Sequence, residues 1–299
     1  MTAVISSTSQ LPLLGFLRFS FFGPSDTRQR HDTEDAFDQL YNDERMNVRF
    51  HYYENLFLPS MRAQQNEDFR LVILTSDVMP KHHKERLQDV TNGFKQAEIH
   101  FIETKVLHKF TAPLIKEQAE NSRSGRVASF RIDDDDALSI QYTQRLCEVA
   151  IHLPETAIVT FPKSIALFKQ VDGQLGILSR TAFCGSPGLV RINSKNFTRN
   201  PFQMMHGIVW KRFLTVSDPS FTSHIQSYHT HNDTIENNAK NLAKAVKGTA
   251  RYGQAKYLDG ISRNLKSNFP MQDIPKLAAH FQADIPKNYD PNYDNDLQA

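Results

Sequence analysis

Four consecutive aspartates, Asp133 to Asp136, stand directly behind an apolar run of Val127, Ala128, Phe130 and Ile132. Like charges side by side raise one another's cost of ionisation. A hard divalent cation, Mg²⁺ or Mn²⁺, removes that cost by taking carboxylate oxygens together with phosphate oxygens of a substrate. Three other readings compete. An aspartate run suits an exposed turn. An EF-hand calcium loop would need a glycine at its sixth position and a distal glutamate, and neither is present. Asp134 to Asp136 could also cap a helix starting at Ala137, where the dipole favours negative charge. Capping accounts for one or two aspartates, not for four behind a hydrophobic strand, so the metal and phosphate reading is the one the pattern favours.

Other residues could serve the same chemistry. In HTHNDT, His229 and His231 stand two apart, so on an extended segment both point the same way, and histidine is the commonest nitrogen ligand for metals. With twelve histidines in the chain, a close pair alone is unremarkable. Arg18 interrupts the first apolar run, either as a surface-pointing residue on an edge strand or as a phosphate or carboxylate contact. Asp77 closes FRLVILTSD, where a strand-end acid can bond a ribose or base, or can simply cap a turn.

The elements that must position these groups follow from hydrophobic periodicity. Leu13 to Gly23 reads as a first buried strand. Asp32 to Tyr41 and Tyr53 to Asn66 read as helices, and Phe69 to Asp77 as a strand. Lys81 to Val90 reads as a helix, Ala97 to Glu103 as a strand and Leu107 to Asn121 as a helix. The strand ending in the aspartate run is then the fourth. This alternation predicts an α/β protein with a mixed, mainly parallel central sheet flanked by helices. Delivery of an acidic cluster to the carboxyl end of such a strand is the layout of ligand sites in α/β sheets.

Beyond the run, Ser139 to Leu153 reads as a helix. Ala157 to Arg180 reads as short strands turning at Asp172-Gly173, a hairpin signal that extends the sheet in antiparallel fashion. Gly185, Pro187 and Gly188 mark a loop able to approach a ligand closely. From Lys240 to Lys287 nine lysines or arginines face three acids. Leu258, Ile261 and Leu265 mark an amphipathic helix there, either a solvated appendage or a basic face toward an anionic acceptor or membrane. The expected division is residues 11–238 as one domain, split at 136 into a nucleotide-binding half and an acceptor half, with 239–299 a basic helical extension and tail.

Composition narrows the class. The 299 residues carry a net charge of +2, too near balance to argue for a nucleic-acid partner. Cys147 and Cys184 are the only cysteines, which speaks against a disulfide scaffold or cysteine zinc site and fits a reducing compartment. The chain start lacks the basic residues of a signal peptide, and the apolar stretch Leu11 to Phe22 is too short to span a bilayer. A cytoplasmic location follows as the expectation, with peripheral contact at the inner membrane face left open. No Walker lysine loop, dinucleotide glycine fingerprint or nucleophile elbow is present.

At RIDDDDAL the chain resembles nucleotide-sugar-dependent glycosyltransferases of the GT-A fold, whose signature is a hydrophobic strand followed by Asp-x-Asp. More narrowly it is similar to bacterial rhamnosyltransferase-like proteins through LRFSFFG, LPSMRAQQNEDFRLVILTSD, RIDDDDAL and HTHND, spanning residues 13 to 235. The resemblance implies that Asp133 and Asp135 form the Asp-x-Asp pair, with Asp134 and Asp136 allowing a shifted frame. It implies metal ligation by Asp133, Asp135 or Asp136 with His229 or His231, and nucleotide-sugar contacts from Arg18, Asp77, Arg131, Asp133 and Asp134. An acceptor-side base has no clear match; Asp172, Asp218 and Asp233 are the candidates, Asp233 standing beside the histidine pair. The implied partners are a nucleoside-diphosphate sugar donor and a saccharide or glycolipid acceptor. A metal-dependent nucleotidyltransferase or phosphohydrolase, or a non-catalytic saccharide-binding relative, would share much of this pattern.

Overall fold

A computed structural model describes residues 11–23, 34–104, 106–169 and 175–229, together with 263, 265 and 267–270. Every statement below concerns those residues. Strand β1 (Leu13–Arg18) is followed by helices α1 (Glu34–Tyr41) and α2 (Asp43–Tyr52), a π-helical turn (Tyr53–Phe57) and α3 (Leu58–Arg62). Then come β2 (Phe69–Ser76), α4 (Lys81–Thr91), β3 (Ala97–Ile102), α5 (Leu107–Asn121) and β4 (Arg126–Asp133). Strands β1 to β4 run parallel within a seven-stranded sheet, with β4 beside β1, β1 beside β2 and β2 beside β3. All four therefore end at one edge, and Arg18 lies in register with Asp133 across the β1–β4 pair.

The second half departs from simple alternation. After β5 (Ala137–Leu138) and α6 (Tyr142–Ala150) come β6 (Ile158–Thr160), β7 (Lys163–Lys169), β8 (Leu175–Thr181), β9 (Val190–Ser194), β10 (Thr215–Ser217) and β11 (His224–Ser227). Strand β9 runs antiparallel to both β4 and β6, with β10 parallel to β6 at the edge, completing the order β10-β6-β9-β4-β1-β2-β3. A second sheet, β5-β11-β7-β8, stands apart. The mixed, mainly parallel sheet flanked by helices is thus as expected from the sequence.

Several boundaries differ for physical reasons. The helix expected at Tyr53 begins at Asp43, where the Asn42 side chain accepts from the Glu44 amide at 3.0 Å. It runs through a π turn in which the Leu58 amide bonds back to Tyr53 O, immediately before Pro59, which has no amide to donate. The first strand stops at Arg18, and Ser20 adopts a left-handed φ of 42°. The run from Ala157 to Arg180 divides at Phe161-Pro162 between the two sheets rather than extending one. β7 and β8 do pair as an antiparallel hairpin, while its Asp172-Gly173 turn lies outside the described residues. Ala137 starts a short strand against β11, not a helix.

A buried cluster including Leu17, Phe50, Tyr53, Phe130 and Tyr142 fills the space between α2, α6 and the large sheet. Burial of such side chains contributes about 1.5–3 kcal/mol each relative to exposure. A smaller cluster joins Tyr52, Leu56, Ile165, Leu167 and Ile225 to Leu265 and Phe269. The Phe269 amide bonds the Leu265 carbonyl at 2.9 Å, a helical turn, and Asn268 O accepts from Ile140 N at 2.9 Å. This piece of the basic extension is therefore part of the core. Leu258 and Ile261 lie outside the described residues, as does most of residues 239–299.

Candidate active site

The aspartate run turns where β4 leaves the sheet, and the Asp136 amide bonds the Asp133 carbonyl at 3.2 Å. That turn sends successive carboxylates in different directions. Asp133 stays at the sheet edge, its side chain 23% exposed. One of its oxygens lies 3.5 Å from Arg18 Nη2, and the other 3.0 Å from Arg131 Nη2 and 3.4 Å from Ser186 Oγ. Both guanidinium groups rest on the Phe202 ring, each 4.4 Å from its centroid. Burial works against ionising Asp133, but the two arginines outweigh it and hold its carboxyl below the usual range. Arg18 is thus a carboxylate contact on an interior strand, not a surface residue on an edge strand.

Asp134 points inward and is fully buried. Arg49, projecting from α2, forms a two-pronged pair with it through Nη2 and Nε, and reaches Asp135 Oδ2 with Nη1 at 2.6 Å. One guanidinium cannot neutralise two buried carboxylates. Burial and the neighbouring Asp135 push Asp134 up to about 7. Asp135 is also buried, yet Arg49 and a 2.9 Å bond to His229 Nε2 hold it well below the usual carboxylate range. The His229 ring stacks on Tyr52 at 4.5 Å, 19° from parallel, and Tyr52 lies one turn beyond Arg49 on the same helix. Asp136 is pushed up by burial and by Asp135 and Asp133, and accepts from the Ser227 amide at 3.2 Å.

The run is therefore not a uniform four-carboxylate cluster. Asp133 and Asp135 are the ionised members and Asp134 is committed to Arg49; among the described residues the donor atoms of Asp133, Asp135 and His229 do not converge within 4.8 Å of one another. Asp77 sits two strands away on the same edge, its amide bonded to Ile102 O at 3.1 Å. Asp218 is paired with Arg145 at 2.7 Å and accepts from the Ser220 amide. His231, Asp172 and Asp233 lie outside the described residues. Arg49, Phe202 and Ser186 were missed by sequence reasoning, which named no role for them. For Arg49 a signal exists: Met46, Phe50, Tyr53 and Phe57 mark a buried helical stripe, and an arginine bordering it needs a buried partner.

A second set of metal-type ligands lies elsewhere. The side-chain donor atoms of Asp43, His82 and His83 converge within 4.8 Å of one another at the starts of α2 and α4. His82 Nε2 is 3.2 Å and His83 Nε2 3.4 Å from Asp43 Oδ1. Asp43 and His82 are exposed and also satisfy an ordinary surface ion pair.

The glycine-bearing loop does approach the site. Gly188, at φ +68°, donates its amide to Arg131 O at 2.8 Å and accepts from Tyr142 Oη at 2.8 Å. A Cβ there would lie 2.8 Å from the Tyr142 ring, which is itself wedged between Phe130 and Phe161. Gly188→Ala is expected to cost about 1–3 kcal/mol of stability in urea unfolding through combined strain and overpacking. No measurable loss would mean that the loop shifts freely off Tyr142.

His224, on β11, is fully buried and bonds Ser223 Oγ at 2.8 Å. Burial, aided by Arg180, pushes its imidazole down to about 3 from 6.5. Neutral when folded but protonated when unfolded below 6.5, it contributes stability that is complete above that pH and lost as pH falls toward 3. Relative to His224→Gln, the wild type should lose about 2 kcal/mol of its advantage between pH 6.5 and about 5. A pH-independent gap in denaturant unfolding would show that the imidazole is not held neutral.

No curated protein matches the chain. Among solved structures, S. aureus TarS 1-349 with UDP aligns at 10% identity and a TM-score of 0.38, over 73% of this chain and 61% of that one. Its complex with UDP-GlcNAc aligns at 9% and 0.39, over 79% and 66%. A protein described as a "putative nucleotide-diphospho-sugar transferase" from Desulfovibrio desulfuricans G20 aligns at 10% and 0.34, over 70% and 80%. The chain thus spans about three fifths of the TarS fragment in the UDP complex. A family described as "Putative rhamnosyl transferase" matches residues 12–241, a span that holds every side chain placed at the sheet edge above. The chain belongs to this rhamnosyl transferase family.

Proposed function

We propose that the protein moves a sugar, rhamnose being the family's suggestion, from a nucleoside-diphosphate donor to a hydroxyl on a saccharide or glycolipid acceptor. The observation that carries this reading is the meeting of Asp133, Arg18 and Arg131 at one strand edge, beside the Asp135–His229 pair. Asp133, Asp135 and His229 are of the donor types that Mn²⁺ or Mg²⁺ accepts, and a bound cation would have to draw them together, taking the place of the Asp135–His229 bond. When bound, the cation supplies neutralisation for the charge that builds on the departing diphosphate. Arg18 and Arg131, held by Phe202, are placed to bind the phosphates as planar forks. Arg49 fixes the turn that aims Asp135, and Tyr52 fixes the plane of His229.

Division of residues 11–238 at 136 into donor and acceptor halves fits this reading, with β5 to β11 on the acceptor side. The test is a panel of nucleoside-diphosphate sugars, with and without Mn²⁺, read by melting temperature and then by nucleoside diphosphate release in the presence of acceptors. A cation-dependent rise in melting temperature with one sugar, followed by diphosphate release, is expected. Release of pyrophosphate or phosphate instead would identify a nucleotidyltransferase or phosphohydrolase. Cation-dependent binding without any turnover would identify a non-catalytic relative.

A further inference from the structure

Between Asp172 and Asp218 the chain carries no acid at all and six cations: Arg180, Arg191, Lys195, Arg199, Lys211 and Arg212. The same stretch contains most of the large apolar side chains that the described surface exposes. Met205 is 74% exposed, Leu214 59%, Phe183 50% and Trp210 47%. These four sit on two segments locked together from beneath, where Met204, Val209 and Phe213 pack with Cys184 and Leu189. His206 Nδ1 meets Cys184 O at 3.2 Å, and the Phe183 and Trp210 rings stand 6.3 Å apart, edge to face. Lys211 and Arg212 are exposed beside them. Both segments lead directly from the site: Ser186 touches Asp133, and Phe202 carries Arg18 and Arg131.

We propose that this face docks on an anionic membrane surface. Aromatic and aliphatic side chains flanked by lysine and arginine, without acids, are the composition that enters a charged lipid interface. A free saccharide is a poorer occupant, because Met205 and Leu214 offer no side-chain hydrogen bonds to its hydroxyls. A second copy of the chain is poorer too, since a twofold interface here would set Lys211 and Arg212 against themselves. Resting on the glycosyltransferase reading, docking here would present the Asp133 edge to an acceptor held in the bilayer.

The test is sedimentation of the full chain with vesicles of phosphatidylcholine alone or mixed with phosphatidylglycerol. Binding is expected only to the mixed vesicles. The double variant Lys211→Ala, Arg212→Ala should bind about 30-fold more weakly, the loss that two interfacial cations carry, and Trp210→Ser should also weaken binding. Lys244→Ala with Lys247→Ala, in the basic C-terminal segment, should leave binding unchanged. Nucleotide-dependent melting shifts and transfer to a water-soluble acceptor should survive in all variants; their loss in the Lys211, Arg212 or Trp210 variants would overturn a separate docking role, whereas their absence from the wild type would count against the transferase reading alone. Absence of vesicle binding, binding governed by the C-terminal lysines, or binding to heparin or free saccharide through Trp210 without binding to vesicles would overturn the proposal.

Discussion

Asp135→Asn is expected to lower sugar transfer by about 10²- to 10³-fold, the scale at which removal of one preorganised electrostatic group acts, while the protein stays folded. Asp135 carries the most firmly ionised carboxylate of the run, because Arg49 and His229 outweigh its burial. It is also the link between α2 and the segment after β11. Asparagine keeps the shape and can still accept from Arg49, but it gives a divalent ion a neutral oxygen in place of an anionic one. Folding should survive, since Asp135 raises both Asp134 and Asp136, and its neutralisation relieves that repulsion. The variant is checked by unfolding in urea beside transfer assays over a range of Mn²⁺. Near-normal turnover would remove Asp135 from the machinery.

Arg49→Met should act on the fold instead, with a loss of about 3–5 kcal/mol, the cost of stranding buried charge when one partner of an ion pair is removed. The side chain is the common counter-charge of Asp134 and Asp135, both essentially inaccessible to solvent. Without it, Asp134 takes up a proton and Asp135 loses the guanidinium that outweighs its burial, keeping its bond to His229. Arg49→Lys should recover part of the loss, since a single ammonium cannot bridge two carboxylates as a planar fork does. In the double variant Arg49→Met, Asp134→Asn, coupling should return some of the stability. A loss below about 1 kcal/mol in Arg49→Met would mean that solvent reaches the pair after all.

The parts of this molecule written in local pattern were legible from sequence. The apolar runs of β1, β2 and β4, broken by amphipathic helices, announce a parallel sheet, and the aspartates that end β4 announce its working edge. Short strands such as β5, β6 and β10, at two or three residues, carry no period of their own and exist only through their neighbours. The same holds for the arginines. Arg18 stood out because it broke an apolar run, yet only its register with Asp133 shows what it does there. Arg49 reaches Asp134 across 85 positions of sequence, and no spacing rule connects them. Four aspartates in a row suggested one common role. A single turn divides them into a carboxylate at the edge, one paired inward, one shared with His229 and one bonded to backbone.

The central claim is that Asp133, Asp135 and His229 hold a cation that holds the donor's diphosphate. Anomalous diffraction at the manganese edge, from crystals grown with Mn²⁺ and a nucleoside-diphosphate sugar, tests it most directly. The account predicts a peak within coordination distance, about 2.1 Å, of carboxylate oxygens at the end of β4, with the phosphates beside Arg18 and Arg131. A peak confined to Asp43, His82 and His83, with the Asp133 edge bare of nucleotide, would contradict it.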